Sequence, residues 1–367
     1  MKLKGAAGMR STAKPKILLT GGLGFIGTKI VSRLLDSHEI LVVDNVHPQV
    51  HPDRRRVNEL PAGVSFIEGD VTQVRVMAEA AEFAPKVVVH LAAETGTGQS
   101  LRQSRRHTEV NVTGTATLLD ALTAANHFPA RIILPSSRAV YGEGKWTDAR
   151  TGAGVYANAR SASRLASGNW RPTACGGAEL FSPIAHDSSS TEPRPSNVYA
   201  ATKLAQEHVA LAWCNAFDVP LAVLRLQNVY GSGQSVGNPY TGVLTFMARQ
   251  ALSGKPIAVF EGGGIIRDFV DVEDVADAIV AAIDFSGADL RADIGSGRPT
   301  PLLEVAELLS SLAGGPRPII TSEYRLGDVR AASANIDIAR TQLDFTPSRS
   351  LEDGLTALLA WVDGEQT

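Results

Sequence analysis

The chain reads as an α/β protein, a doubly wound parallel sheet with a smaller C-terminal lobe, and three observations predict this. Apolar runs of strand length alternate with helical apolar spacing from Lys16 to Arg225. A glycine-rich turn, Thr20-Gly-Gly-Leu-Gly-Phe-Ile-Gly27, stands between such a strand and such a helix. Further on, Tyr199-Ala-Ala-Thr-Lys203 places a phenol and an ammonium four residues apart, on one face of a helix.

Taken in order, Lys16-Ile-Leu-Leu-Thr20 is a buried strand and Phe25 to Leu35 a helix. Ile40-Leu-Val-Val43 is a second strand closed by Asp44, and Val64 to Ile67 and Val87 to His90 are the third and fourth. Intervening helical stretches require crossover connections and hence a parallel sheet. The pattern continues through a helix from Val110 to Asn126, a strand from Arg131 to Leu134, a helix from Tyr199 to Phe217 and a strand from Leu221 to Arg225. Helices at Gly242 to Leu252 and Leu302 to Leu312, with a strand near Ile257 to Phe260, lie among glycine- and proline-rich loops and form a substrate-capping lobe. From about Gly144 to Pro195 no periodicity persists, which marks an insertion serving as a lid or a surface loop. The expected division is a disordered tail at 1–15, a dinucleotide-binding domain at 16–226 with that insertion at about 144–195 and a return at 269–295, and a substrate lobe at 227–268 and 296–362.

A chain of 367 residues with 44% hydrophobic content buries a substantial core. Its 35 basic and 38 acidic residues are scattered, giving a formal charge of -3 and no basic field to track a phosphate backbone, so nucleic acid is not an expected partner. Cys175 and Cys214 are too few for a disulfide framework or a four-ligand zinc site, so no metal is expected and the cytoplasm is the expected location. The first sixteen residues lack the apolar core of a signal peptide, and no run of about 18 apolar residues follows. A membrane is not an expected partner.

The glycine turn brings backbone N–H groups at a helix N-terminus close to a pyrophosphate. Asp44, ending the second strand, can accept hydrogen bonds from ribose hydroxyls and repels a 2′-phosphate, which favours NAD over NADP. Asp70, after the third strand, can accept from an adenine amino group. Glu94, Thr95, Thr97 and Gln99 follow the fourth strand at the crevice where open α/β sheets bind ligands, and are candidates for reading sugar hydroxyls. Tyr199 is a candidate base whose phenolate the Lys203 ammonium favours. His90 reads as a packed strand residue.

With these residues in view, the chain from Lys16 to Val362 resembles the extended short-chain dehydrogenase/reductases of the nucleotide-sugar epimerase/dehydratase family, which have a Rossmann core. The resemblance rests on the Gly21 to Gly27 turn, Gly69-Asp70, His90-Leu-Ala-Ala93, Asn111-Val-Thr-Gly-Thr115, Ser136-Ser-Arg-Ala-Val-Tyr-Gly142, Tyr199-x-x-x-Lys203, Arg225-Leu-Gln-Asn-Val-Tyr-Gly231 and Arg267-Asp-Phe-Val-Asp271. It implies tightly held NAD in the large domain and a nucleoside-diphosphate sugar under the lobe, with Ser137, Tyr199 and Lys203 as the catalytic set. The cofactor residues it implies are Gly21, Gly24, Phe25, Ile26, Gly27, Asp44, Asn45, Asp70, Val71, Leu91, Ala92, Ala93, Asn111, Ser136, Tyr199 and Lys203. The substrate residues are Glu94, Thr95, Ser137, Asn228, Arg267, Arg325 and Asp328; Arg267 resembles a clamp on the diphosphate, and Arg325 with Asp328 a second such element that Arg330 assists.

Arg138-Ala139 follows Ser137 where 4,6-dehydratase-like members carry Asp-Glu, so neither a leaving-group acid nor a C5 base stands there, and elimination is disfavoured. Ala139 also weakens a decarboxylase reading. Three segments resemble a narrower group that includes deoxysugar 4-epimerases acting on dTDP-sugars: Val43-Asp-Asn-Val-His-Pro-Gln-Val-His51, the Trp170 to Gly177 stretch, and Asn238-Pro-Tyr-Thr-Gly242. Relatives carry paired cysteines in the insertion, whereas here Cys175 stands with His186 eleven residues away. The expected function is therefore a nucleotide-sugar 4-epimerase, with a related oxidoreductase, decarboxylase or dehydratase as its enzymatic rival and a non-catalytic NAD-binding regulatory protein as the rival of another class. The resemblance also implies a homodimer packed through the helices near Val110 to Asn126 and Tyr199 to Phe217.

Overall fold

The structure is a computed structural model that describes residues 13–238 and 242–365. Residues 1–12 of the expected tail, and Pro239 to Thr241 of the Asn238–Gly242 segment, lie outside the described residues.

The first five strands are β1 (Lys16–Thr20), β2 (Glu39–Asp44), β3 (Val64–Glu68), β4 (Val87–His90) and β5 (Arg131–Ser137). Next come β6 (Lys145–Asp148), β7 (Gly154–Tyr156) and β8 (Leu180–Pro183), then β9 (Leu221–Leu226) and β10 (Asn228–Tyr230). The last that concern the site are β11 (Ala258–Val259), β12 (Ile266–Arg267), β13 (Phe269–Asp271) and β14 (Leu290–Ile294). Seven of them form the main sheet in the order β14-β9-β5-β4-β1-β2-β3, all parallel. The order reverses direction between β1 and β4, which opens a crevice at their carboxyl ends.

Because helices cover both faces, the central strands are apolar on both sides, as a parallel sheet requires. Ile17 and Leu19 face one core with the helices Phe25–Leu34 and Val272–Asp284, while Leu18 faces the other with the helices Val74–Glu82, Gly114–Ala124 and Val198–Ala216. A third core, built on Leu244, Met247, Leu302, Leu309, Leu355 and Leu358, fills the C-terminal lobe. There the strands are short: β10 pairs with β13, β11 with Ile319–Ile320, and β12 with Thr300–Pro301.

Two segments differ from the sequence reading. The expected helix from Val110 to Asn126 begins as a π turn, Glu109–Thr113, before the α-helix Gly114–Ala124. The segment without periodicity contains a three-stranded antiparallel sheet, β7-β6-β8, whose Trp146 and Leu180 pack with Ala157, Ala174 and Ala331 in a small core of their own. Strands of three or four residues are too short to display an alternation.

That small sheet is tied to the C-terminal lobe by a buried charge cluster. Arg160 donates to Glu143 at 2.7 Å and to Glu261 at 2.5 Å, and also reaches the carbonyls of Trp170 and Asp328. Its side chain and those of both glutamates are 1% exposed. Arg330 adds a second cation on Glu261, and its backbone N–H donates to Glu143. Burial pushes the Glu143 carboxyl up to about 7, with the charge of Arg160 opposing the rise. Arg160→Met leaves two buried carboxylates short of their partner, and the expected cost is about 3–5 kcal/mol. Thermal denaturation measures it; an unchanged midpoint would show that the cluster does not hold the two parts together.

Candidate active site

The crevice at the ends of β1 to β4 is lined by Gly21, Gly24, Asp44, Asn45, Gly69, Asp70, Val71, Leu91, Ala92, Ala93, Glu94 and Thr95, together with His47, Gln49, His51, Arg106 and Asn238. Gly21 adopts φ +69, and a Cβ there would stand 2.7 Å from the Ala92 nitrogen, so only glycine lets the turn lie against the β4 loop. Gly27 is needed for packing, since a Cβ on it would meet the Gly22 oxygen at 2.5 Å. The helix Phe25–Leu34 starts at Gly24 with no side-chain cap, which leaves the positive end of its dipole facing the crevice. Phe25 and Ile26 stand in its first turn behind the lining, with Ile26 against the core.

Asp44 holds the turn in place: its carboxylate accepts from Leu23 N–H at 3.2 Å and Val46 N–H at 2.9 Å, and His51 Nε2 lies 3.6 Å away. Burial raises its pKa, and these donors oppose the rise. Asp70 accepts from Thr72 and from Asn45 Nδ2 at 2.8 Å; burial alone would raise it, but these bonds outweigh burial and hold the carboxyl below its usual range. Two carboxylates thus mark the ribose end of the crevice.

Outside that lining, Ser137 closes β5, and Tyr199 occupies the first turn of the helix Val198–Ala216. Asn197 caps that helix, accepting from Ala200 N–H at 2.9 Å, while its amide donates to the Gly327 carbonyl at 2.9 Å. Burial raises the Tyr199 pKa, whereas the nearby Ser137 hydroxyl and the charge of Arg138 draw it back down. Lys203 is buried one helical turn beyond, where burial lowers its pKa to about 8. Its ammonium donates to the Pro135 carbonyl at 2.8 Å and to Gln206. Lys203 thus lies one helical turn from Tyr199 with its ammonium held by these two acceptors.

Several other residues expected to contact ligands also bond within the protein. Ser136 donates to Glu207 beneath the sheet end. Asn111, in the π turn, accepts from Glu94 N–H and donates to the Glu94 carbonyl and to Thr202, so it fixes the Glu94 backbone rather than facing the crevice. The Glu94 carboxylate itself pairs with Arg106 at 2.5 Å. Arg267, read as a clamp, is 3% exposed; its guanidinium donates to Asp328 at 2.8 Å and to the carbonyls of Ile266, Val329 and Arg330. Its fork is closed by the segment that supplies Asp328. Arg325 is exposed and lies over the Phe260 ring. His90 is packed between Thr20 and Thr115, as its strand position led us to expect.

Sequence reasoning passed over two features. Arg138 was read only as the absence of an acid, yet its Nε donates to Asn228 Oδ1 at 2.8 Å. Gln49 exchanges hydrogen bonds with Gln99 and reaches Asn238 at 3.3 Å, joining two of the segments that carried the narrower resemblance.

Comparison with known proteins gives the same picture. A model of the NAD dependent epimerase/dehydratase family matches residues 17–163 and 165–292. The chain is 42% identical over 353 residues to a dTDP-L-rhamnose 4-epimerase of Burkholderia thailandensis, covering 95% of each chain. Among solved structures it is similar to a UDP-glucose 4-epimerase of Thermotoga maritima with UDP-glucose, at TM-score 0.78 and 25% identity, covering 96% of this chain and 100% of the other. It is also similar to a UDP-glucose 4-epimerase of Thermus thermophilus in complex with NAD, at TM-score 0.73 and 26% identity, covering 95% and 99%.

For Arg267→Met the expected result is a loss of stability on the order of 3 kcal/mol, because Asp328 loses its partner. Burial favours protonation of Asp328, but the charge of Arg267 and neighbouring groups holds its folded pKa below the ordinary carboxylate value. Stability from such a group is fully present above the unfolded pKa, about 3.9, and is lost as pH falls through the lower folded one. The gap between wild type and variant in thermal denaturation should therefore be full at neutral pH and shrink below about pH 4. A gap independent of pH would remove the ion pair as its cause.

Proposed function

The chain belongs to the NAD-dependent epimerase/dehydratase family, and we propose that it is a nucleotide-sugar 4-epimerase that oxidises and re-reduces its substrate within one binding event. The observation that carries this reading is the placement of Ser137 at the end of β5 and of Tyr199 in the first turn of the helix packed on that strand, with a dinucleotide crevice at the ends of β1 to β4 of the same sheet.

NAD fits that crevice. The turn has no room for a Cβ at Gly21, the helix start is uncapped, and the Asp44 carboxylate suits ribose hydroxyls while repelling a 2′-phosphate. When bound it supplies the hydride acceptor for oxidation and the donor for reduction. Tyr199, as phenolate, takes the proton of the sugar C4 hydroxyl; Ser137 donates to the same oxygen as it becomes a ketone. After the ketosugar presents its other face, Tyr199 returns the proton to that oxygen with the configuration inverted. Arg138 and Ala139 offer no carboxylate for elimination, so the C4 ketone has only the return path.

We place the substrate among deoxysugars carried on dTDP. The similarity to the dTDP-L-rhamnose 4-epimerase supports this, as does the Gln49–Asn238 contact between two segments of the narrower resemblance. The same reading takes the protein to be a cytoplasmic homodimer. In its support, Phe128, Trp213 and Phe217 form an aromatic cluster at the ends of the two helices expected to pair, with Phe128 and Phe217 40% and 38% exposed.

Incubation of the holoenzyme with a panel of UDP-, dTDP-, GDP- and CDP-sugars that includes dTDP-L-rhamnose, followed by NMR of the products, tests the reading. The expected product is the C4 epimer of a dTDP-deoxysugar with no lasting change in nicotinamide absorbance. Net reduction of cofactor in step with sugar consumed, or an unsaturated or decarboxylated product, would overturn it. Tyr199→Phe should lower kcat by about 10²–10⁴-fold while substrate affinity stays close to wild type, because only the proton-accepting oxygen is lost. Turnover near the wild-type rate would remove Tyr199 as the base.

A further inference from the structure

Three side-chain ties fasten the loop after β2 across the crevice. In the sheet β4 and β2 flank β1, so the loops that follow them stand on opposite sides of the glycine turn and of the uncapped helix start. Gln49 lies in the loop after β2, and Gln99 in the short helix Thr97–Ser100 after β4. The two amides exchange hydrogen bonds: Gln49 Nε2 donates to Gln99 Oε1 at 3.0 Å, and Gln99 Nε2 donates to Gln49 Oε1 at 3.1 Å. Arg106 Nη2, also on the β4 side, lies 3.2 Å from His47 Nε2. Gln49 Nε2 reaches Asn238 Oδ1 at 3.3 Å as the third tie. The loop after β2 therefore spans the carboxyl end of β1 and is fastened on the far side.

The root of this loop is bent against its own preference. Val46 adopts φ +47, a left-handed conformation that a β-branched side chain enters only under strain. Such a residue persists where its surroundings over-determine it. Its side chain is buried in the core, and its N–H donates to Asp44 at 2.9 Å. Next to it, Asn45 accepts from His47 N–H at 3.1 Å and donates to Asp70 at 2.8 Å. The two ends of the tie across the crevice differ. Gln99 is 1% exposed and its amide also donates to Gln103 at 2.9 Å, whereas Gln49 is half-buried on the loop. A fixed post thus holds a more accessible arm by neutral hydrogen bonds, which part at modest cost.

We propose that residues 45–51 form a strap that retains NAD in the crevice, and that Gln49 and Gln99 are the positioning residues that latch it. Both banks line the crevice, Asn45, His47 and Gln49 from one side and Glu94 and Arg106 from the other, so a dinucleotide leaves only after the strap has come away from the β4 side. Parting the reciprocal amide pair is the step that frees it. The latch sets how long the cofactor stays and takes no part in moving a proton or a hydride. The inference rests on NAD occupying the crevice and is independent of the sugar chemistry.

The test loads the full chain with radiolabelled NAD, adds an excess of unlabelled NAD, and measures the label left on the protein after rapid gel filtration at successive times. Gln49→Ala and Gln99→Ala should each speed release about tenfold, through loss of two neutral hydrogen bonds. The double variant should be little faster than either single one, because both remove the same pair. Gln49→Glu combined with Gln99→Lys sets opposite charges across the same span and should return release close to the wild-type rate. Gln103→Ala removes a neighbour of Gln99 without touching the strap, and release there should match wild type. Unchanged release in both alanine variants, or release quickened as much by Gln103→Ala, would overturn the latch. Since the readout needs no turnover, a protein inactive on every sugar nucleotide would refute the epimerase and leave the release rates to decide the strap. A wild type that takes up no labelled NAD would overturn the strap together with the cofactor assignment beneath it.

Discussion

The ion pair of Glu207 with Arg225 sets the position of every group at the reactive end of the crevice. Arg225 Nη2 lies 2.7 Å from Glu207 Oε2 and its Nε donates to Oε1 at 3.1 Å, a two-point contact that fixes angle as well as distance. Glu207 belongs to the helix of Tyr199, and Arg225 to β9. Ser136 of β5 donates to the same carboxylate, so the residue before Ser137 is tied to the helix that carries Tyr199. The Arg225 guanidinium also stacks over the Tyr141 ring at 4.8 Å, and Tyr141 donates to Asp293 of β14, whose carboxyl burial raises to about 7. Three adjacent strands and one helix thus share a single register. A buried pair of this kind adds little net stability over an apolar replacement, and its contribution here is geometric.

From that anchor the crevice runs toward the opposite sign of charge. Asp44 and Asp70 are carboxylates at one end, each held by backbone or side-chain donors that keep it in place. The uncapped helix start lies beside them. On the proposed reading, a dinucleotide entering this field meets hydroxyl acceptors and a positive helix end, which orients its ribose and its pyrophosphate.

What the sequence disclosed was local. The glycine turn, Asp44 and the Tyr199–Lys203 spacing depend on a few consecutive residues, so their geometry follows from φ values and helix periodicity. The central strands were legible because they are buried on both faces and therefore carry near-continuous apolar runs. Pairings across long separations were not. Nothing near Arg267 in the chain announces Asp328, 61 residues on, as the group that closes its fork. Arg160 lies 101 residues from Glu261 and its own segment shows no period, so an ordered sheet read as a loose loop. The two residues after Ser137 were informative as a missing acid, but the bond from Arg138 to Asn228, 90 residues on, was not foreshadowed.

The chemistry also requires that a ketosugar turn over without leaving, and the contacts around the crevice divide that task. The segment leading to Asp328 is fixed at its base by charged contacts, Arg267 to the Asp328 carboxylate and Arg160 to its carbonyl at 2.8 Å. Its tip is held by neutral hydrogen bonds from Asn197 and Ser196 to the Gly327 carbonyl and by Arg325 over the Phe260 ring. A neutral hydrogen bond contributes only about 0.5–1.5 kcal/mol, while buried charged contacts are several times costlier to break. The tip is therefore less costly to release than the base. Because Asn197 also caps the Tyr199 helix through its other amide atom, breaking its bond to Gly327 would leave that helix capped, and Tyr199 would remain where the Glu207–Arg225 pair holds its helix.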